Sequence, residues 1–527
     1  MKRLVTSLLA CLMLLTLSPA FADGIDNPIS GGASGSQANV TPGGATLRQI
    51  TSRVGIPNQI SGSNATGGWR SWQVAYDAVS ALKVCFFNGK VLSNAGETGT
   101  GDIGTYRVAV EYPKGTWTDL TFGGLTTGVV IADNTFGCTD LTQLGFTIPA
   151  FTKFRLSGDI SIAGVGRVPA LGWSNACDRA NGDEFQSGAA GFNHYKDATV
   201  LGSGSAQCFH PALVLGSTNK TVWWGIGDSI MAGVNDQGGD PSGGRGLLGR
   251  SMAALGPTLN YGVPGDRASL YAVGANTTSR MALAALGGAT TAVLQLGVND
   301  FFSGSRTTDQ VLTDRATIRA AVKVAVPGIK VIDTTITPVT TSTDGWATTT
   351  NQTVSNAGNN NSRAAFNDFL RGVVSYSALC TETTSNAVLA CGAPPNATNP
   401  MPVTSTAPGM RVTGTGITGT TTVSVANLVT GNITVDVAAN VTGSGNQTLT
   451  FAWPSTSATF PATNDGLIDV ARLVESATYQ AAGPIANGGV WMAGYVGQTD
   501  GTHPNFYGYQ LVQPIISNQL TAYRSAY

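Results

Sequence analysis

From residue 221 onward the chain carries four short apolar runs, at 221–226, 291–296, 330–336 and 466–470. No other feature of the sequence constrains the fold as tightly. A run that does not alternate offers water neither face, so each suits a strand covered on both sides. Between the second and third runs, Val311, Leu312, Ile318, Val322 and Ala325 recur at helical spacing. Asp309 stands before this stretch as a cap and Pro327-Gly328 follows as a stop. A last helix is expected over about 507–523. Buried strands alternating with amphipathic helices predict an α/β fold with a parallel, doubly wound sheet.

Two regions depart from that rhythm. Over 46–220, runs such as 106–112 and 154–162 are punctuated by Gly, Asn and Asp. Such alternation and turn spacing predict an antiparallel, β-sandwich-like domain. From 378 to 454 the chain turns Thr-, Val- and Gly-rich and reads as a small β-rich insertion. It is either a tolerated surface excursion or a substrate-contacting module. The expected organisation is a signal peptide at 1–22, a flexible leader at 23–45 and the β-rich domain at 46–220. The α/β core then runs over 221–377 and 455–527, on either side of the 378–454 insertion.

Composition narrows the partners. Charged residues make up 11% of the chain, glycines number 68 and the net charge is -1. Soluble domains usually carry roughly 25% charged residues. Without a Lys/Arg cluster, nucleic acid and anionic membrane are poor partners. Lys2-Arg3, an apolar stretch over 4–17 and Ala20-Phe21-Ala22 form an export signal cut near Ala22. The stretch is too short to span a bilayer. The expectation is therefore a secreted or periplasmic protein with no integral membrane segment. Cleavage removes Cys11 and leaves six of the seven cysteines. Six cysteines in an oxidising compartment suggest disulfides, and the sequence leaves all fifteen pairings open; neighbour pairing, Cys85–Cys138, Cys177–Cys208 and Cys380–Cys391, is the guess. There is no CxxC and no histidine pair spaced to share a metal, so neither metal nor cofactor is expected.

The chemistry-bearing residues fall at strand ends. Ser229 closes Gly227-Asp228-Ser229, directly after the first apolar run. There it faces the carboxyl edge of the sheet, where open α/β folds bind ligands. A serine hydroxyl needs a base within hydrogen-bond reach. The chain has three histidines, and His503 has Asp500 three residues before it. That carboxylate can reach the far ring nitrogen, hold the tautomer and stabilise an imidazolium. His194 and His210 fall in the β-rich domain without a comparable carboxylate. Asn299, in Gly297-Val298-Asn299-Asp300, places a side-chain amide at the end of the second run, suited to a developing oxyanion. Gly265, in the segment 260–266, offers a backbone N–H that a substrate can approach closely, with Gly262 nearby. A Gly-Asp-Ser triplet or a single histidine carries little weight alone; the ordered set carries much more.

That set, 227–229, Gly265, 297–300 and 500–503, resembles the GDSL/SGNH hydrolase superfamily over 221–376 and 455–527. Ile230 stands where that family usually has Leu. The resemblance implies a three-layer α/β/α, flavodoxin-like core and ester hydrolysis through an acyl-serine. It implies Ser229 as nucleophile, His503 as base and Asp500 as the triad acid. Ser229 N–H, Gly265 N–H and the Asn299 amide form the implied oxyanion hole. The absence of Gly-x-Ser-x-Gly argues against the nucleophile elbow of α/β-hydrolases. Export and glycan-holding β modules suggest an O-acyl, such as acetyl, ester of a polysaccharide as substrate. The rival readings are a lipase, long-chain esterase or thioesterase, an O-acyltransferase with the same triad, and a glycan-binding surface protein with a decayed hydrolase core.

Overall fold

Five strands pair in parallel in the spatial order Thr258–Asn260, Trp223–Gly227, Thr291–Gln295, Lys330–Thr334, Gly466–Ile468. The computed structural model describes residues 46–93, 95–173, 176–188, 196, 201, 207–236, 240–370, 375–391, 410–427, 432–452, 465–475, 490–496 and 500–525. The expected signal and leader, and His194, lie outside the described residues. All four apolar runs become strands of this sheet. Every residue of Trp223–Gly227 and Thr291–Gln295 is buried, as their non-alternating composition requires. The edge strand Thr258–Asn260 has too few apolar residues to show in the pattern.

The first strand in the chain lies between the second and the third, so strand order reverses beside it. That reversal opens a crevice at the carboxyl ends of Trp223–Gly227 and Thr291–Gln295. Helices gather in two groups. Ser229–Ala232, Leu247–Ala253, Val470–Val474 and Phe506–Ser525 pack together, while Ala268–Tyr271, Thr278–Leu286, Val298–Phe302, Thr308–Ala325 and Ala357–Leu370 form the other group.

The helix Thr308–Ala325 buries Val311, Leu312, Ile318 and Val322, on the face their spacing selects. Its cap is Thr307 rather than Asp309. Thr307 has the extended backbone a cap requires and forms a reciprocal capping box with Gln310; Asp309 falls inside the first turn. The same face buries Arg315 and Arg319, which share the carboxylate of Asp333. Arg315 also donates to the carbonyls of Leu294, Leu296 and Thr334 and so fastens two strand ends together.

Ahead of the parallel sheet stand two large antiparallel sheets and two two-stranded ones, Gln59–Ile60 with Pro169–Ala170 and Gly89–Leu92 with Gly96–Gly99. One large sheet contains Thr46–Gln49, Leu213–Thr218 and Val79–Phe87; the other contains Thr66–Val74, Lys153–Ile162 and Gly104–Glu111. They meet through Phe86 of the first sheet against Trp69 and Tyr106 of the second, with ring centroids 5.9 and 5.2 Å apart. One apolar cluster runs from this region into the α/β core. Backbone bonds bridge the two, from Gln49 N to Gly287 O and from Thr258 N to Thr51 O. Later in the chain, six strands between Ser375 and Ala452 close a barrel.

Among the described residues three disulfides are present, Cys85–Cys138, Cys177–Cys208 and Cys380–Cys391. These are the neighbour pairings. Among the described residues no helix is long and apolar enough to cross a membrane.

Candidate active site

Trp223–Gly227 ends in the crevice, and the chain turns at once into the short helix Ser229–Ala232. The turn is held by Asp228, whose Oδ1 accepts from the Ile230 N–H at 3.0 Å. Ser229 is buried to 6% exposure, yet its Oγ lies 2.7 Å from His503 Nε2. His503 Nδ1 in turn lies 3.0 and 3.1 Å from the two oxygens of Asp500. Residues hundreds of positions apart in the chain thus form one hydrogen-bonded row: hydroxyl, imidazole, carboxylate.

The segment 500–503 is folded tightly around that carboxylate. Asp500 Oδ1 accepts from the backbone N–H groups of Thr502 at 2.9 Å and His503 at 2.8 Å. Asn235 Nδ2 approaches its other oxygen at 3.4 Å. Partial burial by itself raises the Asp500 pKa. The hydrogen bond and charge of His503, with the two N–H groups, outweigh burial and pull the pKa down to about 2. An ionised acid behind the ring fixes the proton on Nδ1 and leaves Nε2 to accept from the hydroxyl.

Asp228 behaves in the opposite way. Burial dominates and pushes its carboxyl up to about 7, against the Ile230 hydrogen bond and the charge of His503. Gln295 Nε2 lies 3.5 Å from it. Neither Asp228 nor Asn235 stands out in the sequence: one reads as part of the serine motif, the other as a loop Asn.

Asn299 is the second residue of the short helix Val298–Phe302, which follows Thr291–Gln295. Its Nδ2 donates to the Asp266 carbonyl at 3.0 Å. One amide hydrogen is thereby committed, and the second is available to a ligand. Asp300 accepts from the Ala268 N–H at 2.7 Å and the Ser269 N–H at 3.0 Å, so the two loops are tied twice. Gly265 lies in the tied loop with φ +83°, a conformation favouring glycine. Gly262 packs instead behind the serine helix, where a Cβ would lie 2.5 Å from Ala232 N. Asn299 and Thr502 line one groove of about 430 Å³, together with polar Ser303, Ser355, Asn356 and Asn359 and apolar Val298, Phe302 and Val339.

His210 corrects one expectation, because it does have a carboxylate nearby. Asp183 Oδ2 is 3.6 Å from its Nε2, and Ser71 Oγ is 3.3 Å from its Nδ1. Ser71 and Asp183 are fully buried, and Asp183 is paired with Arg53. At 3.6 Å the His210–Asp183 approach is also too long for a hydrogen bond. Asp183, Cys208 and His210 cluster closely enough to suggest metal ligands, but the Cys208 sulfur is bonded to Cys177. It has no thiolate to offer.

Residues 226–379 match the family described as GDSL-like lipase/acylhydrolase. Among solved structures, a candidate acylhydrolase from Bacteroides fragilis NCTC 9343 shares 16% identity, covering 30% of this chain and 64% of its own, with TM-score 0.21. A carbohydrate esterase family 3 protein from Talaromyces cellulolyticus shares 20% identity over 29% of this chain and 72% of its own, with TM-score 0.19. A carbohydrate acetylesterase from Sinorhizobium meliloti shares 18% identity over 24% and 69%, also with TM-score 0.19. The chain thus spans less than two thirds of the length of the first of these. No curated protein matches the chain.

Proposed function

Because residues 226–379 belong to the GDSL-like lipase/acylhydrolase family, we propose that the protein is a serine carboxylic ester hydrolase acting through an acyl-serine. The observation that carries this reading is the row Ser229 Oγ, His503 Nε2, His503 Nδ1, Asp500 Oδ2, joined at 2.7 and 3.0 Å. Ser229 Oγ attacks the ester carbonyl carbon as its proton passes to His503 Nε2. The carbonyl oxygen becomes an oxyanion and accepts from Ser229 N–H, Gly265 N–H and the free amide hydrogen of Asn299. Collapse of this intermediate breaks the C–O bond, and the alcohol leaves with the proton held by His503. Water then repeats the cycle on the acyl-serine and releases the acid.

The proposed substrate is an O-acyl, chiefly O-acetyl, group on a polysaccharide. The groove beside Asn299 supports it, since the carboxamides and hydroxyls of Ser303, Ser355, Asn356, Asn359 and Thr502 suit a hydroxyl-rich alcohol. A long acyl chain calls for a more apolar channel. The three disulfides favour a secreted or periplasmic protein whose signal is cut near Ala22. In this reading the core is a three-layer, flavodoxin-like hydrolase over 221–377 and 455–527, preceded by a 46–220 domain and carrying a 378–454 insertion.

Purified mature protein is assayed with short-chain chromogenic esters, with and without a serine-reactive phosphonate, and with acetylated glycans. Phosphonate-sensitive turnover and acetate release are expected, and both vanish in Ser229→Ala. Undiminished turnover in that variant defeats the nucleophile assignment. A strong preference for long acyl chains with no acetate release defeats the substrate.

A further inference from the structure

The β-rich region ahead of the hydrolase core reaches the active-site loops with one hairpin, Gly89–Leu92 and Gly96–Gly99. Glu97, on its second strand, is buried and points into the core. Its Oε2 accepts from the Ser279 N–H at 2.7 Å and its Oε1 from the Arg280 N–H at 2.9 Å. These are first-turn groups of the helix Thr278–Leu286, whose own N-cap residue, Thr277, makes no side-chain cap bond. Without a local cap such N–H groups are left for another partner to satisfy. Here a carboxylate from a different region of the chain supplies it.

The connection continues inward. Arg280 is fully buried, and its Nε lies 3.3 Å from Glu97 Oε1 while its Nη1 lies 2.6 Å from Asp266 Oδ2. Its guanidinium also stacks over Tyr271 at 4.4 Å. Asp266 is the residue after Gly265, and its carbonyl receives the Asn299 amide. The hairpin tip touches the same loop: a Cβ on Gly265 would lie 2.6 Å from Ser93 Cβ. Lower down, a Cβ on Gly96 would lie 2.3 Å from Asn276 Cβ, so hairpin and core meet without a gap.

We propose that this hairpin is a fixed part of the hydrolase site and that Glu97 is a positioning residue. Through Arg280 and Asp266 it holds Gly265 and Asn299 where the oxyanion forms. The inference rests on the ester-hydrolase reading above. An Arg that bridges two carboxylates through different nitrogens of its planar fork fixes orientation as well as distance. Oxyanion donors act through placement, and small displacements far from the reacting atoms are costly. The β-rich region therefore contributes to turnover without supplying a group that touches substrate.

The test uses the full mature chain. Glu97→Gln keeps the shape of the side chain but replaces one accepting oxygen with a donor and removes the charge that pairs with Arg280. With a short chromogenic ester, kcat is expected to fall about ten- to a hundredfold with KM little changed, because transition-state contacts are lost. In a double-mutant cycle with Asn299→Ala, the combined loss is expected to be clearly smaller than the product of the single losses. Wild-type kcat in Glu97→Gln, or a loss that multiplies fully with that of Asn299→Ala, overturns the inference. Should Glu97→Gln not fold, Arg280→Lys in the same cycle decides by the same criteria, since it keeps the charge and loses the fork. Failure of the parent reading looks different: wild-type protein then neither turns over esters nor reacts with phosphonate.

Discussion

Asp500 and Asp228 are both carboxylates at the site, yet their environments drive them apart, and this has consequences in pH. Asp500 is held near 2, below the ordinary 3.8, so the unfolded chain binds the extra proton between those values. Its stabilising contribution is therefore complete above about pH 4 and is lost as pH falls toward 2. Asp500→Asn is expected to flatten that acid-side loss in thermal melts and to lower kcat by about 10⁴. Asp228 has the reverse sign. With its carboxyl raised to about 7, the folded state holds the proton, and its ionisation costs stability as pH rises from about 4 to 7. The melting temperature of Asp228→Asn relative to wild type is expected to climb across that interval. Asn299→Ala, which removes a donor rather than a charge, is expected to cost about 10²–10³ in kcat. Ser229, His503 and Asp500 were legible because motif order and a scarce histidine identify them. Asn235 was not, since nothing local to it points toward a carboxylate that the fold brings within 3.4 Å.

The helix Thr308–Ala325 shows how far a periodic pattern reads at the scale of an element. Apolar spacing gave its buried face correctly, because burial follows the 3.6-residue repeat whatever lies opposite. The cap is a Thr with the reciprocal Gln310 rather than the acidic Asp309, which lies inside the first turn. Arg315 and Arg319 lie on the same buried face, and no apolar template can anticipate them. Thr307→Ala is expected to cost about 1 kcal/mol, read as faster hydrogen exchange in the first turn. Arg315→Met is expected to cost about 3–5 kcal/mol, because Asp333 and three strand-end carbonyls lose a donor. Chemical denaturation of the intact protein checks it.

Across the whole molecule, the contacts that matter most join regions distant in the chain. Alternation and turn residues were enough to recognise a β-rich region and a β-rich insertion, since each is local. The Glu97–Arg280 bond spans a separation of 183 residues, and no spacing rule in one sequence can reveal it. The two β regions are expected to differ in removability. Ser375 pairs directly with Ala452, so the barrel leaves and re-enters the chain at adjacent points. Replacing it with a short Gly/Ser link is expected to preserve turnover of a small chromogenic ester, because loop closure there adds little entropy cost. Residues 221–527 alone are expected to be insoluble, because the apolar cluster shared with the first β region is then exposed to water. Soluble yield and near-ultraviolet circular dichroism report the difference.

Asp500 accepts bonds from the main chain of Thr502 and His503 while also holding the imidazole. In the proposed site, acid and base therefore share one tightly bonded segment that directly precedes the helix Phe506–Ser525. The proposed machinery is a joint of two pieces: the Thr340 N–H and the Trp491 indole both donate to the Gly501 carbonyl and seat the second piece against the core, so weakening them is expected to shift His503 and Asp500 together while Ser229 stays seated.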